Sequence, residues 1–334
     1  MQLDFKHKQS AHCENGVSSN LFAYYGIKLS EPMIFGIGSG LFFSYLPFLK
    51  VNHIPVTSFR PLPGMIFKRA ARRLGFKMEK KRFSNPNQAM SELDEKLKEG
   101  IPVGMLVGVY NLTYFPKPYR FHFNAHNLVV YGKEKDNYLI SDPIMETPTS
   151  LTSKELRKVR YAKGVFAPKG HMYWTVKAPQ EIDLAKAITQ GIKQTAKDML
   201  TIPIPLVGVK GIKYLAKQLR KYPKKLGNRK ASQYLGQIVR SQEEIGTGGA
   251  GFRYIYAAFL QEASDILKQP FLRDLSVEMT AIGDLWRDFA VETARIIKKR
   301  SEVENPYDGV ADMLVVIAEK EKQIFQKLII LKDA

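Results

Sequence analysis

A change of texture near residue 178 constrains this chain more than any other feature. Before it, short runs rich in Val, Leu, Ile and Tyr alternate with helical patterns. After it, apolar residues recur at helical spacing and strand signals fade. In the first part, residues 14–25 predict a helix stopped at Gly26. Residues 65–74 and 87–98 predict two more, the second between an Asn85-Pro86 start and a Gly100 stop. Strands are expected at 102–109, 127–131, 138–141 and 170–176, with the polar stretch 133–137 as a hairpin loop. In the second part, helices are expected at 182–199, 208–222, 230–244, 252–268, 270–300 and 306–331, separated by Pro and Gly breaks. The expected class is α+β: a mixed domain over residues 1–178, then an all-α domain over 179–334.

With 334 residues, 45% hydrophobic and 25% charged, the chain is long enough for two cores and too apolar to be disordered. No apolar run approaches the ~20 residues that span a bilayer. The opening Met1-Gln2-Leu3-Asp4-Phe5-Lys6 lacks a secretory pattern. A single cysteine excludes an intramolecular disulfide and a Cys-rich zinc site. A cytoplasmic, soluble protein is the expectation.

The formal charge is +19, unevenly placed. Residues 60–82 hold nine basic residues and one acid, and residues 186–230 hold twelve and one, so these two segments account for the whole surplus. Such fields attract acidic partners: nucleic acid, anionic lipid or an acidic protein. The plain reading of each patch is a solvated helix face. No helix-turn-helix, zinc-finger or RNA-reading aromatic signature accompanies the charge, so nucleic acid is not expected.

Cys13 sits in His12-Cys13-Glu14-Asn15, directly before a predicted helix. A helix N-terminus stabilises an anionic sulfur, and the polar neighbours argue against an inert buried thiol. His126 opens one strand, and Asp142 closes the next within Ser141-Asp142-Pro143. If those strands pair, imidazole and carboxylate share one sheet end, and the chain order Cys, His, Asp supplies nucleophile, base and orienting group.

These residues resemble the papain-like fold of bacteriocin-leader-processing cysteine peptidases. Closer still, His12-Cys13-Glu14, the run 30–41 (Ser-Glu-Pro-Met-Ile-Phe-Gly-Ile-Gly-Ser-Gly-Leu), Phe123-Asn124-Ala125-His126 and the later Arg253-Tyr254-Ile255-Tyr256 resemble the butirosin-biosynthesis protein H family. The resemblance covers almost the whole chain. It implies a papain-like catalytic domain with an accompanying helical domain, and an acyltransferase that takes an acyl group from an acyl-carrier-protein thioester to an amine through Cys13. His126 would act as base and Asp142 as its orienter. The Cys13 N–H is the natural first oxyanion donor. Papain-like enzymes add an upstream Gln, for which Gln9 stands at a short spacing, with Glu14 in a supporting place. Glu31, Gly38, Asn124 and Arg253, within the matching motifs, would bind substrate. The donor would bring its own phosphopantetheine arm, with no cofactor bound directly. Partners would be an acidic acyl carrier protein and an amine-bearing small molecule or lipid.

Other features stand beside this. The run 36–40 lacks the third glycine of a dinucleotide fingerprint and reads as a tight turn. The run 246–251 reads as an interhelix loop, or as a set of free N–H groups for a phosphate. His122 and His126 lie four apart without an acidic ligand, so no metal is expected. Apolar residues from Ile188 to Leu219 alternate with lysines, a pattern of helices that lie on anionic membrane or pack on the protein, and the first would place the enzyme at the inner membrane surface. Two other functions compete: a cysteine peptidase or amidase with the same three residues, and a non-enzymatic basic module that binds membrane or nucleic acid.

Overall fold

The computed structural model describes residues 1–51, 53–301 and 304–332. The elements run α1 (Cys13–Tyr24), α2 (Glu31–Ile37), β1 (Ser44–Val51), β2 (Ile54–Ser58), α3 (Met65–Arg73), β3 (Lys77–Lys81), α4 (Pro86–Lys98), β4 (Val103–Val107), β5 (His126–Glu134), β6 (Asn137–Ser141), β7 (Thr149–Thr152), α5 (Ser153–Arg160) and β8 (Met172–Lys177). Then come α6 (Leu184–Leu200), α7 (Gly208–Leu219), α8 (Tyr222–Leu226), α9 (Asn228–Glu243), α10 (Arg253–Leu267), α11 (Phe271–Ile297) and α12 (Pro306–Ile329). The class is α+β, as expected.

Two units divide the chain: residues 1–34 with 71–182, and residues 35–70 with 183–334. A single cut at 178 therefore does not describe the molecule. Segment 35–70 belongs with the helices, because its hairpin β1–β2 packs on α7 and α9. Partners so distant in sequence leave no local mark, which is why texture alone groups this segment with the first domain.

The first unit is built on a six-stranded antiparallel sheet in the order β3-β8-β4-β5-β6-β7. β5 is buried from His126 to Gly132, which explains its unbroken apolar run. The N-terminal segment lies along it: Leu3 N–H donates to the Tyr131 carbonyl at 3.1 Å, and Lys133 N–H to the Met1 carbonyl at 2.7 Å. A Cβ on Gly132 would crowd the Gln2 Cα at 3.0 Å, so glycine there is a condition of that approach. Around this sheet, β3, β7 and α5 escape the periodicity because they are polar. β3 reads Lys-Met-Glu-Lys-Lys, an exposed edge strand blunted by charge. α5 is charge-rich and starts from a capping box in which Thr152 and Glu155 satisfy each other's backbone N–H.

In the second unit the apolar stripes of α6, α7 and α9 to α12 are buried. Arg253 and Glu321, both wholly buried, form a bidentate pair at 2.8 and 3.0 Å, and Trp286 Nε1–H donates to the same carboxylate at 2.8 Å. The remaining Nη1 of Arg253 donates to the Gly251 carbonyl at 2.7 Å. Residues 248–252 all hold positive φ, from 50° at Ala250 to 87° at Gly249. A left-handed backbone costs roughly 1–2 kcal/mol per non-Gly residue, so this bend persists because the buried pair on its far side holds it.

Candidate active site

The geometry of the site begins with the path of the N-terminal segment within the first unit. After running along β5 it reaches the corner that follows β6, where Ser10 N–H donates to the Pro143 carbonyl at 2.7 Å. His7 bonds Ser141 Oγ at 2.8 Å and the Met145 carbonyl at 3.1 Å. α1 starts immediately afterwards, and its first ten residues are all buried. Gly16 permits this: a Cβ there would run into the Pro143 ring and Ser10. The Asp142-Pro143 pair, uninformative as a motif, is thus where α1 docks.

Cys13 is the first residue of α1, and His12 in the N-cap position offers no side-chain cap. The loop ahead of the sulfur is held by Glu31 instead. Its Oε2 accepts the Ala11 N–H and its Oε1 the His12 N–H, both at 2.8 Å. Burial raises the Glu31 carboxyl, and those two N–H bonds, with Asn15 and Lys8, oppose the rise. The N–H groups at the start of α1 leave the helix dipole directed at the thiol.

His126, the first residue of β5, points Nε2 at Asp142 Oδ2, 2.7 Å away, with both side chains buried. Asp142 is held on three sides: Tyr114 Oη donates to Oδ2 at 2.8 Å, and Ile144 N–H to Oδ1 at 3.1 Å. Phe115 stands edge-on to the imidazole at 5.6 Å. Burial disfavours a charged ring, but the Asp142 carboxylate and its hydrogen bond outweigh it, Cys13 adds its own hydrogen bond and charge, and His126 is pushed up to about 10. With Nε2 committed to Asp142, Nδ1 is the nitrogen left for the sulfur. Burial and the same carboxylate drive the Tyr114 phenol well above its ordinary value, which keeps it a donor.

A fourth group joins these three, and the sequence reading does not include it. Asn127 Nδ2 lies 3.9 Å from the Cys13 sulfur and also donates to the Ala125 carbonyl at 3.4 Å. Its Oδ1 accepts the Tyr173 hydroxyl at 2.8 Å, so the amide is oriented with the N–H side toward the sulfur. Tyr173 is itself seated by Gly104, where a Cβ would strike its ring. The only signal for Asn127 was a polar residue at the head of an apolar strand.

The remaining expected residues fall elsewhere. Gln9 is exposed and donates to the Ile144 carbonyl at 3.4 Å, so the side-chain amide beside the sulfur is that of Asn127. Glu14 is buried in the first turn of α1, and its charge, with that of Cys13, adds to burial in raising the Tyr173 phenol well above its usual value. Glu31 is turned inward on the backbone of residues 11 and 12, not toward a ligand. Asn124 spends its amide on the carbonyls of Lys163 and Val165, at 3.1 and 2.9 Å, and pins that loop. Arg253 is wholly buried inside the helical unit with each guanidinium nitrogen bonded to Glu321 or Gly251, so the substrate-binding role expected for it does not stand. Gly38 lies in a turn of that same unit, beside Ser39, whose Oγ donates to the Gly191 carbonyl at 3.0 Å.

The glycine-rich runs are packing devices. A Cβ at Gly36 would strike the Phe259 ring, one at Gly40 the Phe35 ring, and one at Gly191 the Gly36 carbonyl. In the run 246–251, Gly249 N–H is taken by Thr247 Oγ1 at 3.1 Å and Ala250 N–H by Glu243 at 3.2 Å, so those donors are spent internally. The basic helix α7 buries Val209, Ile212, Leu215, Ala216 and Leu219 within its own unit, leaving no apolar face to enter a membrane. Among the described residues no helix is long and apolar enough to cross one. Lys213 pairs with Glu319, and Arg220 with Asp308 and Asp312, so α12 neutralises part of the basic segment. His122 stacks on Tyr110 at 4.2 Å, and among the described residues no group of three His, Cys, Asp or Glu is placed to hold a metal.

Comparison with known proteins gives this geometry a family. Residues 154–328 match the family described as Domain of unknown function (DUF4872), and residues 12–143 match Butirosin biosynthesis protein H, N-terminal. The N-terminal region is thus of the butirosin-biosynthesis H type, and its helix-borne cysteine against a sheet-borne His–Asp pair is the papain-like arrangement. None of the curated proteins compared matches the chain. A solved Bacillus anthracis structure described as C39-like peptidase is similar at 13% identity and a TM-score of 0.37, covering 54% of this chain and 100% of its own.

Proposed function

Since this chain belongs to the family described as Domain of unknown function (DUF4872), which here accompanies a butirosin-biosynthesis H type N-terminal region, we propose that it is a cysteine-dependent acyltransferase moving an acyl group from a carrier-protein thioester to an amine. The observation that carries the reading is the lone thiol at the start of α1, within reach of an imidazole that a buried carboxylate orients.

The chemistry follows from the resting proton distribution. His126 holds its proton at neutral pH, and the imidazolium together with the N-terminus of α1 favours the anionic form of the Cys13 sulfur. The Cys13 sulfur attacks the donor thioester carbonyl, and the Cys13 N–H and the Asn127 amide donate to the oxyanion. Collapse breaks the donor C–S bond, and His126 passes its proton to the departing thiolate. The acyl group now rests on Cys13 and the imidazole is neutral. An amine adds to the acyl carbon and gives a proton to His126. Collapse then breaks the Cys13 S–C bond, releases the amide and restores the ion pair. Asp142 stabilises the imidazolium in both halves without taking the proton. The basic surplus of the chain favours an acidic donor by raising the encounter rate.

Intact-mass spectrometry of the protein incubated with acyl-carrier thioesters tests the reading. The expected result is one acyl mass on wild type, none on Cys13→Ala, and discharge to amide when an amine is added. Release of free acid at the same rate with and without amine would replace the transferase by a hydrolase.

A further inference from the structure

In the first unit, a cavity of about 760 Å³ opens beside the segment that braces the His126–Asp142 pair. Its lining includes Lys117, Arg120, Lys154 and Lys158, against one carboxylate, Glu155. Among the described residues none of the four cations lies in an ion pair. Arg120 spends Nε on the Phe115 carbonyl at 2.7 Å and Nη2 on the Thr113 carbonyl, which anchors the guanidinium without neutralising it. Lys154 and Lys158 are one turn apart on α5 and so share a face. Glu155 stays ionised, since the Thr152 N–H and hydroxyl that donate to its Oε2 at 2.9 and 2.8 Å hold the carboxyl below its ordinary value, and it offsets one of the four positive charges. Tyr110, stacked on His122, supplies an aromatic wall.

Four cations against one carboxylate leave the hollow with a net positive charge, and an anion of high charge density relieves the mutual repulsion best. The volume exceeds what a bare anion needs and suits an organic ligand. One short segment joins the cavity to the catalytic pair. Thr113 lines it, while the next two residues, Tyr114 and Phe115, touch Asp142 and His126.

We propose that this cavity is a phosphate-binding subsite that takes the phosphorylated end of an organic ligand and holds it beside the catalytic pair. Resting on the transferase reading, that ligand is the acyl donor, and the phosphate is the one on its pantetheine arm. That phosphate is part of a diphosphate in coenzyme A and a phosphodiester on a carrier protein.

Titration calorimetry with 4′-phosphopantetheine, pantetheine and coenzyme A tests it, on wild type and on Lys154→Gln/Lys158→Gln, whose exposed helical positions tolerate the change. Wild type should bind phosphopantetheine at least ~10-fold more tightly than pantetheine, because the phosphate accepts charge-assisted hydrogen bonds that the free alcohol does not. The double variant, still folded by circular dichroism, should lose that preference. Coenzyme A equal to phosphopantetheine supports recognition of the arm phosphate, and tighter coenzyme A supports a site that also takes the nucleotide phosphates. Equal binding of the phosphorylated and unphosphorylated arms, or a preference kept by the double variant, overturns the proposal. The transferase reading fails separately, if wild type gains no acyl mass on Cys13 from an N-acetylcysteamine thioester, which carries no phosphate.

Discussion

Each unit of this protein buries a charged cluster, and the two are constructed oppositely. In the helical unit, Arg253 is closed on every side by Glu321 and Gly251, and Trp286 completes the carboxylate. In the sheet unit, Asp142 is closed in the same way by Tyr114, Ile144 and His126, but the series ends at a sulfur. In the first cluster every guanidinium nitrogen already has a partner within the unit. The second links its carboxylate through the His126 imidazole to the Cys13 thiol. On the transferase reading, a buried charge serves chemistry here where its network ends at the thiol.

If the contrast is correct, substitutions in one cluster alter chemistry and those in the other alter stability. Cys13→Ser should lower acyl transfer to background while leaving the unfolding midpoint near that of wild type, measured by product formation and thermal melts. Asp142→Asn should lower turnover by about 10³–10⁴-fold, as loss of the orienting carboxylate does in other triads. It should also shift the alkaline limb of the pH–rate profile. In wild type the raised His126 holds its proton to about pH 10. Without the carboxylate that limb should move down toward the ordinary imidazole range near 6.5. The sign for stability follows. Because the folded value lies above the unfolded one, the His126 contribution is full below about pH 6.5 and is lost as pH rises through about 10.

Arg253→Met should cost roughly 3–5 kcal/mol in denaturant unfolding by stranding Glu321, with Glu321→Met on top restoring much of it. Loss of acylation at temperatures where that variant remains folded would erase the distinction. Asn127→Ala should lower the acylation rate by about 10²–10³-fold, the usual effect of removing one oxyanion donor. Tyr114→Phe removes one of three bonds to Asp142 and should cost about 1 kcal/mol, several-fold in rate.

Much of this was legible in the chain. The helices of the second part, the β5–β6 hairpin and the placing of Cys13, His126 and Asp142 at element ends all follow from periodicity and stop signals, which are local. The 30–41 motif was readable as a resemblance, yet not as a role. Glu31 looked like a ligand contact because nothing local reveals that both its oxygens cap the backbone of residues 11 and 12. Arg253 misled in the same way, since Glu321 lies 68 residues on. Asn127 was hidden among apolar neighbours, and its meaning depends on Tyr173, 46 residues away, to turn the amide.

Sequence by itself established which residues have the side chains for reactive chemistry and where most helices and strands begin, because side-chain type and backbone preference act over a few neighbours. Tertiary structure alone decided which of those residues meet. It sends 35–70 to the helical unit and 71–182 to the sheet. It also sets one buried charge, Arg253, against Glu321 and another, Asp142, against the His126 imidazole. Burial and hydrogen-bond saturation are properties of packing between distant segments, and no window of sequence contains both sides of such a contact.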